Sequence, residues 1–307
     1  MLDNYQRNIN YLRLSVTDLC NLKCRYCMPN GAVKCTHDEI LRIEELVKIV
    51  KALTTLGIDK VRITGGEPLI RRGVVSLVEQ ISPLVKTVAM TTNGVRLADM
   101  GEDLKRAGLH SLNISIDTLD PDLYKEITAG GNLTDALNGI NKAKELGFPM
   151  KLNTVLVGGI NENALPDLAG FSAKNNAVLR FIELMPFEST GDFFEKHFVP
   201  ASQIINKYDL KYTGFENNCA YYDYNGQKIG FITPISNKFC SSCNRIRVTA
   251  KGTFIPCLHC RREYDLKPYL FDEKALTDYC AECIKAKPEH HNLSVGEVRD
   301  DMFNIGG

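Results

Sequence analysis

The chain carries no net charge: over 307 residues its 37 Lys and Arg are matched by 37 Asp and Glu. That balance removes the broad attraction expected of a nucleic-acid coat or an anionic-membrane binder, so a polyanionic ligand would have to be met by a local basic pocket. No run reaches the roughly 18 to 20 apolar residues that cross a bilayer, and the polar opening MLDNYQRNIN lacks the apolar centre of a secretory signal. These absences predict a cytoplasmic protein with no membrane partner and no nucleic-acid partner. Low-complexity segments are missing too, and 44% hydrophobic with 24% charged residues excludes a disordered or fibrous class.

Cysteine is what the chain has in quantity. Its 11 cysteines are an odd number, and in a reducing compartment they point to metal or redox chemistry rather than to disulfides. Nine fall in two bursts, Cys20 to Cys27 and Cys240 to Cys283. Cys35 and Cys219 stand apart and read as buried thiols.

From residue 11 to about 186, short β-branched runs alternate with segments of helical apolar spacing, the pattern of βα units around a parallel sheet. Six strands can be counted: YLRLSVT, KVRITGG, TVAMTTNG, SLNISIDT, MKLNTVLVGG and VLRFIELMP. Ile40, Ile43, Leu46, Val47, Val50 and Leu53 form the stripe of an amphipathic helix, and a later helix from Ala136 stops on Gly147. The strands end in polar, Gly-containing or acidic residues, such as Thr64-Gly65-Gly66-Glu67, the edge that carries chemistry in barrel-like α/β folds. Six units are too few for an eight-fold barrel. The predicted fold is therefore α/β, an open six-unit (β/α)6 partial TIM-like barrel, with a C-terminal α+β region covering its mouth. The expected division is residues 1–190 and 191–307. In the second part a helix is expected near Ala201 to Tyr208, hairpin strands near Tyr221 to Thr233 and Arg245 to Cys257, and a helix near Glu273 to Lys287.

The spacing Cys20-x3-Cys24-x2-Cys27 follows the first strand. Three thiolates can hold three irons of a [4Fe–4S] cube and leave the fourth open to a ligand. Zinc would want four closed ligands, and the motif itself supplies three. Cys240-x2-Cys243 with Cys257 suits either a second cluster or half of a zinc ribbon. Arg245 and Arg247 alternate after it, so on a strand they would share one face, where paired guanidinium forks could hold phosphate or a nucleobase carbonyl.

LRLSVTDLCNLKCRYCMP and the unbroken Gly65-Gly66-Glu67-Pro68 resemble the radical S-adenosylmethionine (SAM) superfamily. In that superfamily the open iron binds SAM, whose reductive cleavage yields a 5′-deoxyadenosyl radical. The resemblance implies that Tyr26, Gly66, Ser115 and Met185 line the SAM site. Over nearly the full chain, RITGGEPLIRR, TTNG, RFIELMP, FCSSCNRIRVTAKGTFIPCL, KPEHH and MFNIGG resemble the GTP 3′,8-cyclases, which begin molybdenum cofactor biosynthesis. This implies two [4Fe–4S] clusters, the second on Cys240, Cys243 and Cys257 facing GTP, with Arg13, Arg62, Thr91, Lys151, Arg245 and Arg247 as GTP contacts. Five of these six are cationic, which suits a triphosphate in a neutral protein.

By the same resemblance, Arg245, Arg247 and the terminal Gly306-Gly307 take part in the reaction, and two glycines can enter a cleft where side chains would clash. An electron donor such as flavodoxin or ferredoxin, hand-over to cyclic pyranopterin monophosphate synthase and a homodimer are implied as well. Leu19 and Ala129 depart from the family pattern. Cys260, Cys280 and Cys283 are not required by it; a zinc clip with His259 and ordinary buried thiols are the two readings. The competing functions are a radical SAM enzyme acting on a peptide and a non-catalytic iron–sulfur or zinc module for nucleic acid.

Overall fold

The computed structural model describes residues 1–28, 39–187 and 190–291. The six expected strands are present as β1 (Tyr11–Ser15), β2 (Lys60–Thr64), β3 (Thr87–Thr92), β4 (Ser111–Ser115), β5 (Met150–Leu156) and β6 (Ala177–Glu183). They pair in parallel and in chain order. The helices that return the chain are α1 (Ile43–Thr55), α2 (Val74–Ile81), α3 (Leu97–Arg106), α4 (Pro121–Ile127), α5 (Leu133–Glu145) and α6 (Leu165–Lys174).

Alternation along each strand builds the two sides of the sheet. Leu12, Leu14, Val61, Ile63, Met90, Leu112, Ile114, Leu152, Leu179 and Phe181 are buried in one continuous core with Leu46, Ile49, Val50 and Leu53 of α1. The intervening residues face inward. Ile40 carries the apolar stripe back beyond α1, but the helix does not: the Leu41 amide is held by the Ala250 carbonyl at 2.8 Å, and Glu45 reaches back to the Arg42 amide at 2.7 Å, so the first turn starts at Ile43. Asn132 caps α5 through the Thr134 amide at 3.1 Å, and Gly147 follows its last turn with φ +66°.

The second part begins with α7 (Gly191–His197) and α8 (Ala201–Lys207). A meander follows of β7 (Lys211–Glu216), β8 (Cys219–Tyr224) and β9 (Gln227–Ile232), then β10 (Arg245–Val248), β11 (Thr253–Ile255), β12 (Tyr264–Asp265) and α9 (Glu273–Lys285). These strands continue the barrel's own sheet on both flanks. β9 pairs in parallel with β6 and β10 in parallel with β1, which gives one open 12-stranded sheet ordered β12-β11-β10-β1-β2-β3-β4-β5-β6-β9-β8-β7. No helix among the described residues is long and apolar enough to cross a membrane.

Candidate active site

The inward residues of the strands surround one cavity of about 390 Å³. Strand register decides which of them are neighbours: Arg13 stands between Arg62 and Arg247, and Tyr11 between Lys60 and Arg245. Lys151 of β5 and Arg180 of β6 line the same space. Arg180 places its Nε and Nη2 on Asn153 Oδ1 at 3.1 and 2.7 Å. Burial, reinforced by the neighbouring cations, lowers Arg247 and Arg180 from the ordinary guanidinium range and takes Arg13 down to about 10. Such crowding disfavours the charged forms and is relieved when an anion enters. Thr91 Oγ1 also lines the cavity; it is buried and has no hydrogen-bond partner among the described residues.

The loop after β1 brings Cys20, Cys24 and Cys27 to the cavity. Burial raises Cys24, with Asp117, Cys27 and Cys20 adding to the rise, and pushes Cys20 up to about 11. These thiols favour the neutral form until a cation takes them. Donors already face one sulfur: the Leu22 amide stands 3.4 Å and Asn93 Nδ2 3.9 Å from Cys20 Sγ. The Gly65-Gly66 turn packs directly on this loop. The Gly66 amide donates to the Thr17 carbonyl at 2.7 Å and the Glu67 amide to the Leu19 carbonyl at 2.8 Å. A β-carbon on Gly66 would stand 2.2 Å from the Leu19 oxygen, so a side chain is excluded. Leu19, one of the departures, takes part through its backbone. Ala129, the other, is exposed with φ +52° beside Gly130.

Two buried carboxylates brace the strand ends. Glu67 accepts from the Leu69 amide at 2.9 Å, Thr92 Oγ1 at 2.7 Å and the Asn93 amide at 2.7 Å, while burial pushes it up to about 7. Asp117 accepts from Tyr26 Oη at 2.6 Å and the Val155 amide at 2.8 Å, and burial raises it to about 6. Tyr26, Gly66, Ser115 and Met185 all line the cavity near these groups.

Cys240, Cys243 and Cys257 line the cavity from the other side. Cys240 and Cys243 precede β10, whereas the first loop follows β1; since β1 and β10 run parallel, the two cysteine sets lie toward opposite ends of this pair with the arginine layer between them. Arg7, held by Asp3 Oδ2 at 2.6 Å, donates to the carbonyls of Cys240 and Glu289 at 3.0 Å each and of Pro288 at 2.7 Å. Lys287 Nζ bridges the carbonyls of Arg245 and Pro256 at 2.8 and 2.7 Å. KPEHH is thereby bound to the cysteine loop and to the β10–β11 hairpin.

Each trio supplies three thiols, enough for three irons of a [4Fe–4S] cube; no group of three or more His, Cys, Asp or Glu among the described residues is arranged around a single ion. Cys280 and Cys283 are buried at 0% and 1% exposure in the apolar core, and burial pushes both up to about 12. Cys260 instead hydrogen-bonds the Cys257 thiol, which this contact and burial raise.

All the residues expected to hold the two clusters, SAM and GTP within the described chain therefore share one cavity, while Cys280 and Cys283 do not; Cys35 and the tail Gly306-Gly307 lie outside the described residues. Tyr11, Lys60, Arg180 and Arg7 were not singled out from sequence, whereas Glu67, Asp117 and Lys287 were read only as parts of strand ends or motifs, without a role of their own. For Lys60 and Arg180 a signal existed, since each alternates with apolar residues on a strand already recognised.

Residues 14–171 match the Radical SAM superfamily and residues 177–293 match Molybdenum Cofactor Synthesis C. The chain is 44% identical to a GTP 3′,8-cyclase of Clostridium botulinum strain Langeland over 100% of both chains. It is 45% identical to one of Alkaliphilus metalliredigens, again over 100% of each, and 43% identical to one of Peptoclostridium acidaminophilum over 100% of this chain and 98% of that one. Among solved structures, Streptococcus suis SuiB bound to its precursor peptide SuiA aligns with TM-score 0.62 at 14% identity, covering 97% of this chain and 76% of that one. Native anSMEcpe with bound AdoMet aligns with TM-score 0.58 at 14% identity over 80% and 74%. At such identities these two structures speak for the open barrel alone. Full-length identity of this order, carried by both halves of a chain whose two cysteine loops meet one cationic cavity, makes it a member of the radical SAM superfamily and, within it, of the GTP 3′,8-cyclase family.

Proposed function

We infer that the chain is a radical SAM lyase that converts GTP to 3′,8-cyclo-7,8-dihydro-GTP, the first step of molybdenum cofactor biosynthesis. The observation that carries this reading is the arginine layer between two three-cysteine loops in one cavity. When bound, SAM and the first [4Fe–4S] cluster would supply a 5′-deoxyadenosyl radical to take the ribose C3′ hydrogen of GTP; bonding of C3′ to C8 of guanine would then be completed by one further electron and one proton, giving the 7,8-dihydro ring.

The chain's own residues do the rest. Cys20, Cys24 and Cys27 hold the first cluster, and Tyr26, Gly66, Ser115 and Met185 form the SAM pocket. Cys240, Cys243 and Cys257 hold the second cluster on the substrate side. Arg13, Arg62, Lys151, Arg245 and Arg247 neutralise the triphosphate, and the buried Thr91 hydroxyl gains the partner it lacks. Burial of Arg62 and Arg247 in the strand walls strengthens their contacts with an anion. Residues 1–190 thus carry SAM and residues 191–307 complete the substrate side, with Gly306-Gly307 entering during the reaction.

SAM cleavage consumes one electron, which suits a small donor of the flavodoxin or ferredoxin class in the cytoplasm, and the product passes to cyclic pyranopterin monophosphate synthase. A homodimer is supported by the free edge strand β7, where Tyr212 and Phe215 are exposed. The test is anaerobic reconstitution followed by SAM and GTP, with mass spectrometry for 5′-deoxyadenosine and the cyclised nucleotide. 5′-Deoxyadenosine without the cyclised nucleotide would reject GTP as substrate.

A further inference from the structure

Tyr11 stands on β1 with a cation on each side, Lys60 on β2 and Arg245 on β10. The Lys60 nitrogen lies 4.9 Å from its ring centroid, and the guanidinium carbons of Arg245 and Arg62 lie at 5.7 and 6.0 Å. Aromatic faces attract cations at these separations, and the attraction grows where water is excluded. The Tyr11 hydroxyl accepts a hydrogen bond from Arg62 Nε, and Arg62 Nη1 donates to the Met90 carbonyl at 3.2 Å. Both side chains are buried, and both line the cavity.

A guanidinium is a rigid plane with five donors. Once Nε and Nη1 are fixed by Tyr11 and Met90, the plane has one orientation and the rest of the fork is left for the cavity. The phenol is suited to this work: burial would raise it, but Arg62 and Arg13 outweigh burial and bring it down to about 7. Its oxygen is therefore a strong acceptor beside like charges that would otherwise repel one another.

We propose that Tyr11 is a positioning residue for the phosphate-binding side of the cavity: its hydroxyl orients the Arg62 guanidinium and its ring holds the Lys60 and Arg245 side chains toward the substrate's phosphates. The proposal rests on the reading of the cavity as a GTP site. A cation held in place loses less freedom when the phosphate arrives, so the benefit appears as affinity for the charged end of the ligand and not for its base.

The experiment uses the reconstituted, SAM-loaded full chain and its Tyr11→Phe, Arg62→Lys and double variants, with iron content and thermal midpoint confirming that each is assembled. Equilibrium binding of GTP is compared with that of guanosine. Tyr11→Phe is expected to weaken GTP by about tenfold or more while guanosine stays within about twofold. In the Arg62→Lys background the same change should cost less than about twofold more, because the partner it orients is gone. Tyr11→His, which keeps a ring and an acceptor, should recover part of the GTP affinity, and it replaces Tyr11→Phe if the latter fails to retain its iron. Equal losses for GTP and guanosine, or additive losses in the double variant, would overturn the proposal. Failure of Arg62→Lys to weaken GTP would instead remove the GTP reading of this cavity, whereas weakening by Arg62→Lys with no effect of Tyr11→Phe removes only the role of Tyr11.

Discussion

The two cysteine loops are held by different physics. Cys20 to Cys27 lie against backbone: Gly66 approaches the Leu19 carbonyl so closely that a β-carbon cannot fit, and Glu67 and Asp117 brace the strand ends by accepting hydrogen bonds. Cys240 and Cys257 are held by cations, since Arg7 and Lys287 donate into carbonyls of Cys240, Arg245, Pro256, Pro288 and Glu289. The first loop is thus a local product of consecutive strands, while the second joins residues up to 282 positions apart. The lesson is that a site for a shared cofactor can be built from sterics that tolerate nothing larger than hydrogen. A site for a particular substrate is assembled from charged side chains that can be exchanged one at a time.

The sharpest way to break this comparison is to remove one ligand from each loop. Cys24→Ala should abolish SAM cleavage, whereas Cys243→Ala should spare some cleavage but stop cyclisation, with total iron falling from about eight to about four per chain in either case. Iron analysis, electron paramagnetic resonance and product quantification decide, and equal loss of both activities in both variants would end the proposed division of labour. Deleting Gly306 and Gly307 should also stop cyclisation while leaving iron content, thermal midpoint and uncoupled SAM cleavage nearly intact. Full-rate product from the truncated chain would make the tail a mere terminus.

A smaller effect sharpens the contrast between sterics and charge. Arg245→Ala and Arg247→Ala should each weaken GTP by roughly ten- to hundred-fold, the loss of one charge-assisted contact, with SAM binding little changed. Titration of both ligands checks this, and an equal loss for SAM would show that the arginines support the whole barrel. The smallest effect concerns pH. Burial raises Glu67 from its ordinary value to about 7, so the folded chain holds that proton more tightly than the unfolded one, and the stability it favours is present at low pH and lost as pH rises through about 7. Urea unfolding of the cluster-free protein should show stability falling from about pH 5 to about pH 8 by on the order of 1 to 3 kcal/mol, with a flatter profile for Glu67→Gln. Parallel profiles would mean that Glu67 is not the group responsible.

Much of the barrel was legible because βα units write their periods plainly: the six strands and the body of α1 follow from apolar spacing, though not the start of α1 at Ile43. The cysteine trios were legible from spacing, and their use from resemblance. Tyr11 and Arg7 were not, because each acquires its role from partners far along the chain. Strand β7 was missed for a local reason: it is largely exposed, and the irregularity between Tyr212 and Gly214 interrupts its alternation. The spacing of Cys280 and Cys283 left a metal clip open beside the commoner reading of buried thiols, and the structure buries both in the core.

The pairing of β10 with β1 also has a consequence in time. Asn10 and Asn244, joined by a hydrogen bond beside this pairing, are 234 residues apart. At usual rates of synthesis the outer edge of β1 waits roughly ten to fifty seconds for its neighbour. Throughout that interval a row of unpaired amides and carbonyls, with Tyr11 and Arg13 on one face, is open to the wrong strand. The nascent chain therefore emerges from the ribosome with the wall of its substrate site as an open edge, and the arrival of the last strands is what ends that exposure.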